Sequence, residues 1–123
     1  MIPKGIAVAA AAVLALVLAA AAFGGTHATP TLTGTVGPGF RITLKMNSKV
    51  VKTLKAGSYK LVIQDKAPIH AFSLDGPNGY AKDFTTVPFV GTKTFTVKLV
   101  AGKYKYYCPP HEPTMFGRFT VSG

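Results

Sequence analysis

The chain has 123 residues, enough for one domain and too few for two. Its formal net charge of +10 favours acidic partners, and its single cysteine excludes a structural disulfide within the chain. The lysines are spread singly along the predicted strands instead of clustering, which argues against a nucleic-acid-binding protein.

Residues 1–23 have the pattern of an export signal. A short start that contains Lys4 is followed by an uncharged apolar run from Ile6 to Phe23. This run also reaches the length of a spanning helix, so a retained membrane anchor is the alternative, and it would be the only membrane contact that we expect. In both cases the predicted location is outside the cytoplasm, in the periplasm, at the cell surface or in the extracellular space. Removal of Lys4 with the signal lowers the net charge from +10 to +9.

The next segment, residues 24–35, is small, polar and without hydrophobic period. We predict that it is a flexible linker, followed by a folded domain over residues 36–123.

Within residues 36–123, apolar side chains alternate with polar ones, which is the period of half-buried strands. The alternating segments are Phe40 to Met46, Tyr59 to Ile63, His70 to Leu74, Phe95 to Leu99, Tyr104 to Cys108 and Phe116 to Val121. Turn-forming residues separate them, and no segment has a helical period over more than about two turns. The sequence therefore predicts an all-β fold, a Greek-key β-sandwich of seven to eight short strands preceded by an N-terminal signal or anchor helix.

The segment 108–115 concentrates metal-binding side chains. It holds the only cysteine, Cys108, with His111 and Met115, in a loop that contains three prolines. A trigonal site of two histidines and one cysteine, with a weak axial methionine, is the donor set of blue-copper centres. His70, flanked by apolar residues at the start of a predicted strand, can supply the second histidine.

Two observations on Cys108 support metal binding. A lone cysteine in an exported protein is a reactive liability, and ligation as a buried thiolate removes it. Tyr104 and Tyr106 share its strand face, which indicates that the sulfur points inward.

Other interpretations of these residues remain open at this stage. Singly, Cys108 is a common buried small residue and Met115 a common core residue. Zinc also binds cysteine and histidine, usually with a fourth strong ligand or a water. Methionine is a poor zinc ligand, and the only carboxylate nearby, that of Glu112, is expected to point outward.

Three segments resemble the cupredoxins, small blue-copper proteins of the plastocyanin, pseudoazurin and amicyanin type. They are Thr53–Tyr59, Pro68–Leu74 and Gly102–His111. The resemblance implies that His70, Cys108 and His111 bind one copper ion in the trigonal plane and that Met115 caps it.

The chain departs from the cupredoxin pattern at two places. Its Cys-x₂-His-x₃-Met spacing is one residue shorter before Met115 than in plastocyanins and one longer than in amicyanins. Ala71 stands where many cupredoxins have an asparagine that ties the two ligand loops together, so this chain needs a different brace.

The implied function is that of a mononuclear type 1 copper protein that cycles between Cu(I) and Cu(II) and transfers single electrons outside the cytoplasm. Four protein donors leave no open position for a substrate, so we do not expect an enzyme. We expect a monomer whose partner is an acidic redox protein such as a cytochrome, docking transiently near His111. The alternatives are an exported copper carrier without an electron-transfer role and a metal-free adhesion domain.

Overall fold

The structure is a computed structural model, and it describes residues 28–123. The predicted signal or anchor at residues 1–23 and the first part of the predicted linker, residues 24–27, lie outside the described residues. Between residues 28 and 123 there is no helix of the length and hydrophobicity that crossing a membrane requires.

Two five-stranded sheets form the domain. The first sheet has the spatial order β3 (Lys49–Val50), β2 (Ile42–Met46), β1 (Thr31–Val36), β5 (Gly57–Asp65) and β8 (Gly91–Leu99). The second has the order β4 (Thr53–Lys55), β10 (Phe116–Ser122), β9 (Gly102–Tyr107), β6 (Ser73–Asp75) and β7 (Ala81–Asp83). The pairs β1/β5 and β10/β4 are parallel, and the other neighbours are antiparallel.

The predicted all-β sandwich with Greek-key connections is confirmed, but the number of strands is higher. The structure has ten strands among its described residues. The strands β3, β4 and β7 have two or three residues each, which is too short to produce a recognisable period in the sequence.

The predicted end of the linker at residue 35 is wrong. Residues 31–36 form β1, which pairs with both β2 and β5. Only Leu32 and Val36 mark its buried face with large side chains, because the inward position between them is Gly34. A Cβ on Gly34 would lie 2.7 Å from the Phe72 ring, so this glycine makes room for a core aromatic from the segment before β6.

The core lies between the two sheets. Its side chains are aliphatic and aromatic, and they include Ile63, Phe72, Tyr106 and Phe119. The rings of Phe72 and Tyr106 are stacked, with centroids 5.9 Å apart, and Tyr106 also contacts Phe119. This packing fixes β9 and the segment before β6, the two segments that lead into the candidate site.

Candidate metal centre

Three side chains bring their donor atoms together where β5 and β9 end. The Nδ1 atoms of His70 and His111 are 3.2 Å apart. The Sγ atom of Cys108 lies 3.8 Å from the first of these nitrogens and 3.6 Å from the second. A point in the plane of the three atoms is about 2.1 Å from each, close to the bond lengths of a transition metal to nitrogen and sulfur. Among the described residues, these three form the one such group of histidine, cysteine or acidic side chains.

The chemistry of these donors fits a soft or borderline metal ion. Two imidazole nitrogens that face each other with a sulfur beside them repel through their lone pairs unless a proton or a cation lies between them. One thiolate and two imidazoles suit copper.

The carboxylate of Glu112 adds no fourth strong ligand, because it lies 2.6 Å from Lys105 Nζ and its side chain is 46% exposed. The outward direction predicted for Glu112 is therefore confirmed.

The loop after β9 holds Cys108 and His111 by local backbone hydrogen bonds. A 3₁₀ turn covers Pro109–His111, and the His111 amide donates to the Cys108 carbonyl at 2.9 Å. The Cys108 amide donates to the Met115 carbonyl at 3.0 Å, which closes the loop at its base. Neither Pro109 nor Pro110 has an amide hydrogen to satisfy, so the tight turn leaves no donor unpaired at those positions.

Cys108 is fully buried, and so is Met115. The inward orientation predicted for Cys108 from the face of Tyr104 and Tyr106 is confirmed, since all three side chains are buried. The backbone of Met115 is bonded to Cys108 on one side and to the His111 carbonyl on the other. Its assignment as an axial ligand stays a prediction.

His70 lies in the turn before β6 and does not begin a strand, because β6 starts at Ser73. The side chain is fully buried, and its Nε2 atom finds no hydrogen-bond partner among residues 28–123. The expected alternation fails here because Ala71, Phe72 and Ser73 are all buried as well. Because His70 and the three residues that follow it are all packed in the interior, the direction of the imidazole Nδ1 atom is fixed.

Thr85 supplies a brace for the His70 loop that the sequence did not reveal. Its buried hydroxyl oxygen accepts a hydrogen bond from the Phe72 amide at 2.9 Å, and its own amide donates to the Phe72 carbonyl at 3.3 Å. The Phe84 amide donates to the same carbonyl at 2.8 Å. The brace therefore comes from the segment after β7, thirteen residues away from Phe72.

Ala71, which stands where many cupredoxins have an asparagine, connects the two loops through its backbone. The amide of Ala71 donates a hydrogen bond to Cys108 Sγ at 3.4 Å. This bond links the two ligand loops, and hydrogen bonds to a ligand sulfur tune the electronic properties of a bound metal.

Two residues of the β1–β2 loop also contact the site, and the sequence interpretation missed both. Phe40 was expected in a half-buried strand, but its side chain is 62% exposed and β2 begins at Ile42. Its ring meets the His70 and His111 imidazoles edge-on, with centroids 5.4 and 4.9 Å apart. Gly37 has φ +78°, and a Cβ there would lie 2.8 Å from His70 Cδ2. The Gly37-Pro38-Gly39 run could have signalled the loop, but nothing local connects it to the histidines.

On the outer side of β9, Tyr107 lies beside three of the four acidic side chains of the chain. Its hydroxyl donates to Asp75 Oδ1 at 3.1 Å. Burial, followed by this hydrogen bond and by the charges of Asp75, Glu112 and Asp83, raises the pKa of Tyr107 to about 12. The phenol therefore stays neutral over the physiological range of pH.

The chain is similar to solved structures of two copper proteins of the cupredoxin class. The copper protein rusticyanin aligns with 20% identity and a TM-score of 0.57, over 79% of this chain and 80% of that chain. Rusticyanin from Thiobacillus ferrooxidans gives 23% identity and a TM-score of 0.52, over 79% of each chain. A reduced tryptophan-to-tyrosine variant of amicyanin gives 15% and 0.50, over 78% of this chain and 86% of that chain.

No protein-family model and no curated protein sequence matches the chain. At these identities the solved structures establish the fold, and the His70, Cys108 and His111 cluster lies within it. The chain therefore has the fold of the cupredoxins, the family that its Cys-x₂-His motif resembles.

Proposed function

We propose that this chain is a mononuclear blue-copper electron-transfer protein that works outside the cytoplasm. The observation that carries the proposal is the convergence of His70 Nδ1, His111 Nδ1 and Cys108 Sγ within 3.8 Å of one another in a cupredoxin fold. Bound copper supplies the one-electron couple between Cu(I) and Cu(II). Met115, buried at the base of the same loop, is proposed as the weak axial ligand.

The protein's contribution is to hold the donors in one arrangement in both oxidation states. His70 is locked by burial, and the Cys108–His111 turn is closed by backbone bonds at both ends. Such a rigid frame keeps the rearrangement during electron transfer small. The buried sulfur accepts a hydrogen bond from Ala71 and is shielded from water, which favours the less charged Cu(I) state and raises the potential.

Electron exchange is proposed at His111, the one half-exposed side chain of the three. Exposed apolar residues surround it, namely Phe40 in edge contact with its ring and Pro109, Pro110 and Pro113 in its own loop. A small apolar rim suits a transient contact with a redox partner. With about +9 on the chain without residues 1–23, an acidic partner such as a cytochrome would be steered towards this protein.

The test is to add Cu(II) to the purified protein and record its visible and electron-paramagnetic-resonance spectra. We expect an intense thiolate-to-Cu(II) band that is lost in Cys108→Ser, while the far-ultraviolet circular dichroism stays that of a folded sandwich. A blue spectrum retained without the cysteine would overturn the proposal. Copper that binds but does not cycle reversibly would favour the exported carrier instead.

The axial role of Met115 has its own test. Met115→Leu should still bind copper, and its reduction potential should rise, because a weak axial donor mainly stabilises Cu(II). The same potential in both proteins would remove Met115 from the ligand set and leave the other three donors in place.

The docking proposal is tested by kinetics. The rate of electron exchange with an acidic cytochrome should fall steeply as salt is raised, because steering acts over a Debye length of about 10 Å at 0.1 M ionic strength and less above it. A rate that does not depend on salt would show that the positive charge serves only solubility.

A further inference from the structure

The outer surface of the first sheet differs from the rest of the molecule in composition. Its outward positions alternate with buried core residues along β1, β2, β5 and β8, and most of them are threonines such as Thr33, Thr35 and Thr94. The other outward residues on these four strands are lysine, serine and glutamine, apart from the half-buried Val62. At the edge of the sheet, Val50 of β3 pairs with Lys45 on the same face and is 46% exposed. We call this surface the hydroxyl-lysine face.

Positive charge on this face is not balanced by any acidic side chain. The chain has four acidic residues. Asp65 is buried in the domain, Asp75 and Asp83 belong to the second sheet, and Glu112 lies in the cysteine loop. The charged groups of the hydroxyl-lysine face are therefore all ammonium groups, and the face attracts anions over its whole area.

Three lysines cross the face on a diagonal. Lys45 on β2 pairs with Thr33 on β1, which in turn pairs with Val62 on β5. Lys60 lies two residues before Val62 on β5. Lys98 on β8 pairs with Ser58, which lies two residues before Lys60. Strand spacing and rise place the first two backbones about 12 Å apart and the second two about 8 Å apart. The three lysines thus form a line across a hydroxyl-rich sheet surface, which matches an extended polymer better than a compact ligand.

Three occupants fit this chemistry poorly. Protein interfaces are enriched in aromatic residues, and among the described residues this face has no aromatic side chain. For the same reason it cannot stack the bases of a single-stranded nucleic acid. Its two apolar side chains, Val50 and Val62, are too few and too small to hold a protein in a membrane surface.

We propose that the hydroxyl-lysine face binds an anionic polysaccharide. Lys45, Lys60 and Lys98 pair with its sulfate or carboxylate groups, and the threonine hydroxyls exchange hydrogen bonds with its sugar hydroxyls. Double-stranded DNA offers comparable charge, but the outward side of these four strands has no helix or ribbon that could enter a groove. The apolar rim is formed by loops, the β1–β2 loop with Phe40 and the loop after β9 with His111, and not by the outward side chains of the strands, so a polymer on this face leaves the rim free for a redox partner.

The test compares two triple variants of equal charge. Lys45→Gln, Lys60→Gln and Lys98→Gln remove three cations from the hydroxyl-lysine face. The control, Lys52→Gln, Lys103→Gln and Arg118→Gln, removes three cations that line a groove beside Asp75, two of them on the second sheet and Lys52 just before β4. Affinity for heparin and for alginate is measured at several salt concentrations, so that sulfated and carboxylated polymers are compared directly.

The face variant should bind about tenfold more weakly or worse, with a shallower salt dependence, while the control changes by less than about threefold. Circular dichroism should show that both variants are folded. Equal losses in the two variants, or no binding by the parent protein at 0.15 M salt, would overturn the proposal. Tighter binding to duplex DNA or to anionic vesicles at equal charge concentration would also overturn it. None of these results depends on copper, so they are independent of the proposed redox function.

Discussion

The two loops that supply the candidate metal donors are built in different ways. The Cys108–Met115 loop fixes two donors by hydrogen bonds within itself, and its prolines restrict the backbone further. The loop that carries His70 is held from outside, by Thr85 after β7 and by contact with Gly37 between β1 and β2. One half of the site is therefore encoded locally, and the other half depends on parts of the chain that are distant in sequence.

This difference indicates where the site is most sensitive to substitution. A donor held by several short-range bonds tolerates the loss of any one of them, because the others keep the loop closed. A donor held by a few long-range contacts in a fully packed region is displaced when one of these contacts is lost. We therefore expect the largest effects at residues that support His70 without touching the other donors.

Gly37→Ala should have the largest effect. An alanine at φ +78° carries a backbone penalty of about 1–2 kcal/mol, and a methyl group 2.8 Å from the buried His70 ring adds about 1–3 kcal/mol. Chemical denaturation should show this loss, and copper titration should show weaker binding because the imidazole is displaced.

Gly39→Ala is the matched control, two residues further along the same loop. A Cβ on Gly39 has no atom within 4 Å, and its φ is outside the left-handed region. Its unfolding free energy should stay within about 0.5 kcal/mol of the parent. Equal effects at the two glycines would show that the loop as a whole, and not the contact with His70, matters for stability.

Thr85→Val should come next. Valine keeps the shape of threonine but cannot accept the hydrogen bond from the buried Phe72 amide, and an unsatisfied buried donor costs about 1–3 kcal/mol. The neighbouring Thr86 is exposed, so Thr86→Val should change the unfolding free energy by less than about 0.5 kcal/mol. If the two variants were equally stable, Thr85 would not be the brace of the His70 loop.

The sequence predicted the local half of the site better than the remote half. Cys108 and His111 could be placed together because they stand on one short loop with two residues between them. Met115, buried at the base of that loop, stays a predicted ligand. His70 could be placed because an apolar segment flanks it. Thr85 could not be found, because it meets Phe72 across a loop with no periodic pattern.

The fold shows the same limit. Strands with strict alternation, such as β5 and β8, were predicted close to their observed positions. β1 was taken for linker because Gly34 replaces the apolar residue expected on its buried face. Phe40 was assigned to a strand because it continues the spacing of Ile42 and Leu44, although the chain has already turned outward there. In both cases a packing partner from another segment, and not local propensity, decided the outcome.

Pro110→Ala tests the locally encoded loop and should have a smaller effect. The backbone bonds of Cys108, His111 and Met115 do not involve position 110, so the loop should still close. The expected loss is about 0.4–1 kcal/mol, because alanine gives the unfolded chain more freedom. A loss as large as that of Thr85→Val would contradict the distinction between the two loops.

The smallest effect is expected where the two ligand-bearing segments meet on the outer surface. Tyr107 precedes Cys108, Asp75 ends the strand that follows His70, and their side chains are joined by a 3.1 Å hydrogen bond. This contact spans the same two segments as the bond from Ala71 to the sulfur, but it is accessible to water. Asp75→Asn keeps an acceptor and removes the charge, so it should leave stability at neutral pH almost unchanged.

The effect of Asp75→Asn should appear in alkali. Tyr107 has a pKa of about 12 in the folded protein, compared with an ordinary value of 10.0 that applies to the unfolded chain. Between these values the folded state retains a proton that the unfolded state releases, so the stabilisation is complete below pH 10 and is lost as pH rises through 12. Without the Asp75 charge the pKa of Tyr107 should fall, and the loss of stability over this interval should become less steep. Tyrosinate absorbance and thermal unfolding measured across this pH range would show both changes.

Tyr107→Phe separates this contribution from those of Tyr80 and Tyr106, whose pKa values are also raised, mainly by burial. If the alkaline titration of Asp75→Asn matched that of the parent protein, the outer contact would contribute nothing to the link between the two segments, which would then depend on buried bonds alone.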